Sequence, residues 1–232
     1  MAIKRVSMLV WLAILVAVLW PTQGRAHPIR NVAAAAPGGA ALLAEVRAEL
    51  AAMRTTRYQH TTAVNAAEGE YFYDCSGFLD YALQRSLPTH LAALPVSETK
   101  GRPLAQDFEH HFRESTDGGP WRKVATVADL RPGDVIAWLA TPTSKTRDTG
   151  HVMVVLREPE HNPRRPDEWT VEIADSTSSP HARDSRGDDE EGLGTGTVGL
   201  SVDGSGRPVG FYWRGGVSRA AKLTDVSLGR AW

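Results

Sequence analysis

The chain has 232 residues, of which 26 are Lys or Arg, 27 are Asp or Glu and 8 are His, so its formal net charge at pH 7 is -1. A charge this close to zero gives no reason to expect a nucleic acid or a membrane surface as a partner. Cysteine occurs once, so no disulfide can form within the chain. The length is sufficient for a single domain with a hydrophobic core.

Residues 1–26 are predicted to be a secretory signal peptide. Two basic residues precede an apolar run from Val6 to Trp20, and a small-x-small cleavage pattern ends at Ala26. The apolar run has 15 residues, whereas a helix needs ~20 to span a bilayer, so no stable membrane anchor is expected after cleavage. We therefore expect a secreted or periplasmic bacterial protein. Residues 27–40, rich in Ala, Pro and Gly, are predicted to form a flexible leader.

Two helices are predicted after the leader. Apolar residues recur at three- and four-residue spacing over 41–57, which predicts an amphipathic helix. A second helix is predicted over 76–84, because Asp74 is a favourable N-cap residue and Pro88 prevents continuation. The following stretch, 85–126, contains no element that we predict from its pattern.

Strands are predicted in the second half of the chain, where short β-branched and aromatic segments alternate with turn residues. Residues 203–206 predict a tight hairpin between the last two strands, and the acidic, Gly-rich stretch 183–196 predicts a mobile, solvated loop. The predicted strands are 134–139, 151–157, 169–174, 197–203 and 208–213.

The single cysteine, Cys75, lies at the start of the second predicted helix. A helix N-terminus favours the thiolate through its dipole and its unpaired N–H groups, so the pKa of the Cys75 thiol is expected to be lowered. Cys75 is therefore a candidate nucleophile. The alternative is a small buried hydrophobic residue, which is the commoner role of a free cysteine.

A cysteine nucleophile requires an imidazole to take its proton and a polar group to orient that imidazole. His151 is the best candidate for the base, because it opens an apolar strand; the alternative is a surface histidine beside a strand. Asp175, at the end of the next predicted strand, is the candidate orienter. Its alternative role is to cap the following turn. Ser176 and His181 are the alternates for the orienter.

No metal site and no cofactor are predicted. His110 and His111 are adjacent in sequence, so they cannot share one helical face, and the chain has no paired-cysteine or His-x-x-x-His spacing.

Three motifs, taken in order, resemble those of the NlpC-type papain-like cysteine peptidases. They are Asp-Cys-Ser-Gly-Phe at 74–78, Arg-Pro-Gly-Asp-Val-Ile at 131–136 and Gly-His-Val at 150–152. The resemblance covers about residues 58–176. The stretch 85–126 departs from the family as a long insertion, which we expect to form part of the substrate cleft.

The resemblance implies an α+β, papain-like fold. N-terminal helices would pack on an antiparallel sheet or partial barrel of about five or six strands, within a single domain at 41–232. It also implies that Cys75 is the nucleophile, His151 the general base and acid, and Asp175 the orienting residue.

Members of that family hydrolyse amide bonds in peptidoglycan stem peptides, so the resemblance implies this substrate, with Tyr58, Asp74, Ser76 and Ser176 as substrate-binding residues. The backbone N–H of Cys75 and a second donor, Tyr58 or Ser76, would hold the oxyanion. Two alternatives stay open: a papain-like amidase or acyltransferase acting on lipids or other non-wall substrates, and a non-catalytic binding module.

Overall fold

The computed structural model describes residues 36–116, 118–144 and 148–232. The predicted signal peptide, and the predicted leader as far as residue 35, lie outside the described residues. Within the described ranges, no helix is both long enough and apolar enough to cross a membrane.

The helices are short, and a 3₁₀ turn at Val127–Asp129 follows the last of them. Their bounds are α1 Pro37–Ala52, α2 Cys75–Ser86, α3 Pro88–Ala92 and α4 Ala105–Glu114.

The strands of the described chain form two sheets. A small sheet has the order β1-β3-β2, with β1 Thr55–Arg57, β2 Ala63–Asn65 and β3 Glu70–Phe72. The strands of the large sheet are β4 Trp121–Lys123, β5 Val135–Leu139, β6 Gly150–Val155, β7 Glu160–His161, β8 Glu168–Thr177, β9 Gly192–Val202, β10 Pro208–Tyr212, β11 Lys222–Leu223 and β12 Val226–Ala231.

The large sheet is antiparallel, with the order β11-β10-β9-β8-β6-β5-β12-β4, and β7 pairs with β8 outside this path. The longest pairing joins β8 to β9 over ten residues, with Asp175 opposite Gly194. Trp138 on β5 stacks on Phe211 of β10 with ring centroids 4.1 Å apart. These two strands are not neighbours in the sheet, so the sheet curls strongly enough to bring them into contact.

The predicted papain-like α+β fold is wrong. Within the described residues the large sheet has nine strands, not five or six, and the fold is predominantly β, with four short helices. All five predicted strands are present. The extra strands are mostly two or three residues long, and β12 carries Ser, Gly and Arg, so none of them has the alternation by which strands are predicted from sequence.

The solvated loop predicted at 183–196 is present only in part. Residues 187–190 are exposed and lie outside any strand, but Arg186 is buried, and residues 192–196 form the first half of β9. Composition is a poor guide here for two reasons: Arg186 pairs with Asp184 inside the protein, and strand β9 is built largely from glycine, threonine and valine.

The two predicted helices are present with shifted bounds. Helix α1 begins at Pro37, four residues before the prediction, with proline at the position of the first turn where it is tolerated. Glycine is needed at position 38, because a Cβ there would be 2.8 Å from the Ala231 backbone. The predicted leader therefore ends earlier than residue 40. Helix α2 is capped as predicted: the Asp74 side chain accepts a hydrogen bond from the Gly77 N–H at 2.8 Å.

A buried acid lies where α1 packs against the residues that precede α2. Glu49 on α1 accepts a hydrogen bond from the Tyr73 hydroxyl at 2.9 Å. Burial raises the pKa of Glu49 to about 8, although the Tyr73 hydrogen bond opposes this shift and the nearby Glu45 adds to it. The native state therefore favours the protonated form of this carboxyl.

We expect Glu49→Gln to flatten the pH dependence of stability. Because the folded pKa lies above the ordinary value of 4.5, the stability of the wild type falls as pH rises from about 4.5 to about 8, by at most about 1.4 kcal/mol per unit. Gln keeps a partner for Tyr73 and does not ionise. Urea unfolding at pH 4 to 9 should show a wild type that loses stability relative to Glu49→Gln. Equal slopes would contradict the assignment. Glu68→Gln, which removes an exposed carboxyl, is the control and should keep the wild-type slope.

Candidate active site

Cys75 is the first residue of α2 and its side chain is buried, with 6% of the residue exposed. Burial raises the pKa of the Cys75 thiol, and the negative charges of Asp74 and Asp175 add to this effect. Hydrogen bonds from the backbone N–H groups of Val152 and Ser76 oppose it. The sequence-based expectation of a lowered pKa is therefore wrong for this structure: desolvation outweighs the helix N-terminus, and the thiol is protonated at neutral pH.

His151 lies at the start of β6 and is buried. The preceding Gly150 has φ +143°, and a Cβ at that position would lie 1.9 Å from the Trp138 carbonyl oxygen. Glycine therefore allows β6 to approach β5 closely at this point. The imidazole packs between Trp138 and Trp213, with ring centroids 5.6 and 5.2 Å away.

Asp175 on β8 is fully buried and binds three side chains. Its Oδ2 accepts hydrogen bonds from Nε2 of His151 at 2.6 Å and from Nε2 of His181 at 2.9 Å. Its Oδ1 accepts from the Arg186 guanidinium at 2.9 Å. Burial alone would raise the pKa of Asp175, but the charge of His181 and the hydrogen bonds from both histidines hold it well below the ordinary value. The carboxylate is therefore ionised.

His181 has an acceptor at each ring nitrogen. Nδ1 donates to the Trp213 carbonyl oxygen at 2.9 Å and Nε2 donates to Asp175. An imidazole that donates from both nitrogens is protonated. Burial lowers the pKa of His181, but Asp175 and the Trp213 carbonyl outweigh burial and raise it.

Arg186 completes this group of buried charges. Its side chain also binds Asp184, with Nε 2.7 Å from Oδ1. Two cations, His181 and Arg186, thus face two carboxylates, Asp175 and Asp184, and the buried charges balance.

His151 can use its second ring nitrogen for acid-base chemistry. Because Nε2 donates its hydrogen to Asp175, a neutral His151 carries its lone pair on Nδ1. Among the described residues, no hydrogen bond joins the Cys75 sulfur to the His151 ring; the sulfur instead accepts from the N–H of Val152, the next residue of β6. Catalytic hydrogen bonds are often long without substrate and shorten on binding.

A cleft of about 430 Å³ opens beside His151. Trp138, Phe211 and Trp213 provide apolar walls, and Asp148 and Lys222 bring opposite charges to it. Tyr58 also lines the cleft. The pKa of the Tyr58 hydroxyl is raised by burial and by the charges of Cys75 and Asp74, so this hydroxyl is a neutral hydrogen-bond donor close to the thiol.

The other predicted site residues are bonded within the protein. Ser76 donates to Asp74 at 3.2 Å and accepts from Arg102 at 2.6 Å. Ser176 donates to the Tyr73 carbonyl oxygen at 2.7 Å, which directs its hydroxyl away from His151. Of the two donors left open for the oxyanion, the Ser76 hydroxyl is therefore already used, which leaves Tyr58 as the candidate.

Arg102 and Arg186 are two of the charged residues near the site that sequence analysis missed. Arg186 lies in the stretch that was predicted to be solvated, and Arg102 lies in the 85–126 insertion. Neither belongs to a motif, and neither has hydrophobic neighbours that signal burial. The one sequence signal is the Asp-Ser-Arg context at 184–186, which places a cation two residues from an acid.

Ligand atoms of His151, Asp175 and His181 lie within 4.8 Å of one another, a spacing that a metal ion can bridge. The donor set argues against such an ion. Oδ2 of Asp175 already accepts two N–H groups, and the Arg186 guanidinium binds the other oxygen of the same carboxylate. A divalent cation would have to displace these protons beside a fixed positive charge.

Comparisons with known proteins give one relative to report. An uncharacterized protein of Acanthamoeba polyphaga mimivirus is 29% identical over 197 residues, covering 75% of this chain and 84% of the viral one. No family model matches the chain. No solved structure matches it.

The chain's single cysteine makes the thiol pKa directly measurable. We expect the rate of Cys75 alkylation by iodoacetamide to rise with pH with an inflection above the ~8.5 of a free thiol, because burial and two carboxylates disfavour the thiolate. His151→Ala should leave the inflection above that value. The same chain unfolded in urea is the control and should return to ~8.5. An inflection below 8.5 in the folded protein would instead indicate a thiolate–imidazolium pair.

Proposed function

We propose that the protein is an exported cysteine hydrolase that cleaves amide bonds through Cys75, His151 and Asp175. The observation that carries the proposal is the 2.6 Å hydrogen bond from His151 to Asp175 at the wall of a cleft. Beside it, the Cys75 thiol accepts a hydrogen bond from the N–H of Val152, the residue that follows His151 on β6. The proposal rests on these side chains and on the NlpC-like motifs. It does not use the papain-like arrangement, which the fold contradicts.

His151 acts as a general base in this mechanism. Because the thiol is protonated at rest, Nδ1 of His151 takes its proton as the sulfur attacks the substrate carbonyl. The resulting imidazolium is stabilised by Asp175 and returns the proton to the leaving amine. A thioester remains on Cys75, and a water molecule that loses its proton to His151 hydrolyses it.

The oxyanion requires donors aimed at the attacked carbonyl. The backbone N–H of Cys75, at the N-terminus of α2, supplies one. Tyr58 supplies the second, because it lines the same cleft as His151 and is neutral, whereas the Ser76 hydroxyl donates to Asp74.

The substrate class is proposed to be peptidoglycan stem peptides. The motif resemblance supports it, and so does the cleft, where Asp148 and Lys222 suit a peptide that carries both amino and carboxylate groups. The signal-peptide pattern at 1–26 supports export to the compartment that contains this substrate.

We expect Cys75→Ala to abolish hydrolysis while the fold is retained, with a loss on the order of 10³-fold or more, because triad members act as a unit. Purified peptidoglycan is digested with each protein, and the fragments are identified by mass. The melting temperature, which should change little, is the control for folding.

The same digestion separates the alternatives. Release of stem-peptide fragments by wild type and not by Cys75→Ala supports a wall hydrolase. Cleavage of lipid or small-amide substrates with intact peptidoglycan would identify a different hydrolase or acyltransferase. Binding of peptidoglycan by both proteins without cleavage by either would identify a binding module and overturn the proposal.

We expect Asp175→Asn to reduce kcat by on the order of 10³- to 10⁴-fold, because an amide at this position favours the wrong tautomer of His151. It should also lower the free energy of unfolding by about 3–5 kcal/mol, since Arg186 and His181 stay buried without their carboxylate. Both quantities are measured on the same preparation.

Asp184→Asn is the matched control. It removes a carboxylate from the same group of charges but not the one that touches His151. It should lower the melting temperature and leave kcat within about threefold of wild type. Full activity in a destabilised Asp175→Asn would show that Asp175 is structural and would remove it from the mechanism.

A further inference from the structure

Arg102 binds the start of the Cys75 helix from outside it. It lies between α3 and α4, in the 85–126 insertion, and its Nη2 is 2.9 and 2.8 Å from the two carboxylate oxygens of Asp74. Its Nη1 is 2.6 Å from the Ser76 hydroxyl oxygen and 3.3 Å from Asp80. The residues on either side of Cys75 are thus both bound by one guanidinium.

Asp74 is in a position to oppose ionisation of the thiol. It immediately precedes Cys75, it is largely buried, and its negative charge raises the pKa of the thiol. Arg102 is 17% exposed and contacts both Asp74 oxygens. A charge-assisted contact from one guanidinium nitrogen to both carboxylate oxygens offsets the charge of Asp74 at short range.

The second carboxylate that contacts Arg102 is Asp80, 3.3 Å from Nη1. Burial raises the pKa of Asp80 to about 7, although Arg102 opposes the shift, so Asp80 is ionised in the alkaline range of the test below. Asp74 is closer, at 2.9 and 2.8 Å from Nη2, so the charge of Arg102 is directed mainly to Asp74. The other titratable groups that face this region are Tyr58 and His60 after β1, His151 on β6, Asp175 on β8 and Asp107 on α4.

We propose that Arg102 is a positioning residue that keeps the Cys75 thiol ionisable by neutralising the adjacent Asp74 carboxylate. The inference rests on the proposed function only in treating Cys75 as the nucleophile. It also gives the insertion a defined task, which is to place one cation against the start of α2.

The test is a four-member cycle: wild type, Arg102→Gln, Asp74→Asn and the double variant. Iodoacetamide alkylation of Cys75 is followed against pH. Arg102→Gln removes the guanidinium from Asp74 and leaves the carboxylate in contact with His60, whose Nδ1 is 3.2 Å from Oδ2. The inflection should therefore rise by about one unit, and the rate at pH 8 should fall about tenfold. Asp74→Asn keeps the N-cap and removes the charge, so its rate should rise severalfold. The double variant should return to within about twofold of wild type.

A purely structural role of Arg102 predicts a different set of alkylation rates in the four proteins. If Arg102 only holds the helix in place, both single variants slow alkylation and the double variant is the slowest, which would overturn the inference. If Arg102→Gln does not fold, Asp74→Asn decides alone: faster alkylation supports the inference and slower alkylation overturns it. Arg85→Gln removes a cation from the same helix, ten residues and about 15 Å from Cys75, and should change neither rate nor inflection.

The two proposals fail separately, because alkylation needs no substrate. If peptidoglycan stays intact but the four proteins show the expected alkylation rates, the proposed function is overturned and the role of Arg102 stands. Hydrolysis that depends on Cys75, together with no rescue of alkylation in the double variant, would support the proposed function and overturn the role of Arg102.

Discussion

The structure around the candidate site depends on one buried carboxylate. Asp175 has no exposed surface, and it accepts hydrogen bonds from two imidazoles and a guanidinium. An ionised carboxylate in such a place is tolerated only when its partners satisfy both oxygens and balance its charge. That constraint fixes the orientation of His151, the charge of His181 and the burial of Arg186, and these in turn hold the proposed base at the wall of the cleft.

The thiol and the imidazole are tuned by opposite means. Cys75 is surrounded by groups that favour its neutral form, chiefly burial and Asp74. His151 is held by a carboxylate that favours its cationic form in the transition state. In the proposed mechanism, a neutral thiol beside a well-oriented base ionises only during attack. A protonated, buried sulfur also reacts slowly with oxidants, which is compatible with the proposed export to an oxidising compartment.

Sequence reasoning predicted the parts of the site that motifs and patterns encode. Its choice of Asp175 over Ser176 rested on strand alternation, and Asp175 is the residue that meets His151. The thiol pKa and Arg102 were not predictable, because both depend on burial and on a contact between residues 28 positions apart. The fold class was missed because strands such as β11, with two residues, carry no periodic signal. A charged stretch such as 183–196 looks the same in sequence whether its charges face water or each other.

The charges around Asp175 also bear on how the protein folds. Asp175, His181, Asp184 and Arg186 lie within 12 consecutive residues, on the β8–β9 hairpin. Closing so short a loop costs little entropy, so these ions can pair before the rest of the sheet forms. Each charge would then enter the interior already neutralised. His151 is 24 residues from Asp175, so its contact with Asp175 closes a longer loop than the contacts within the hairpin do, and chain entropy favours pairing within the hairpin first.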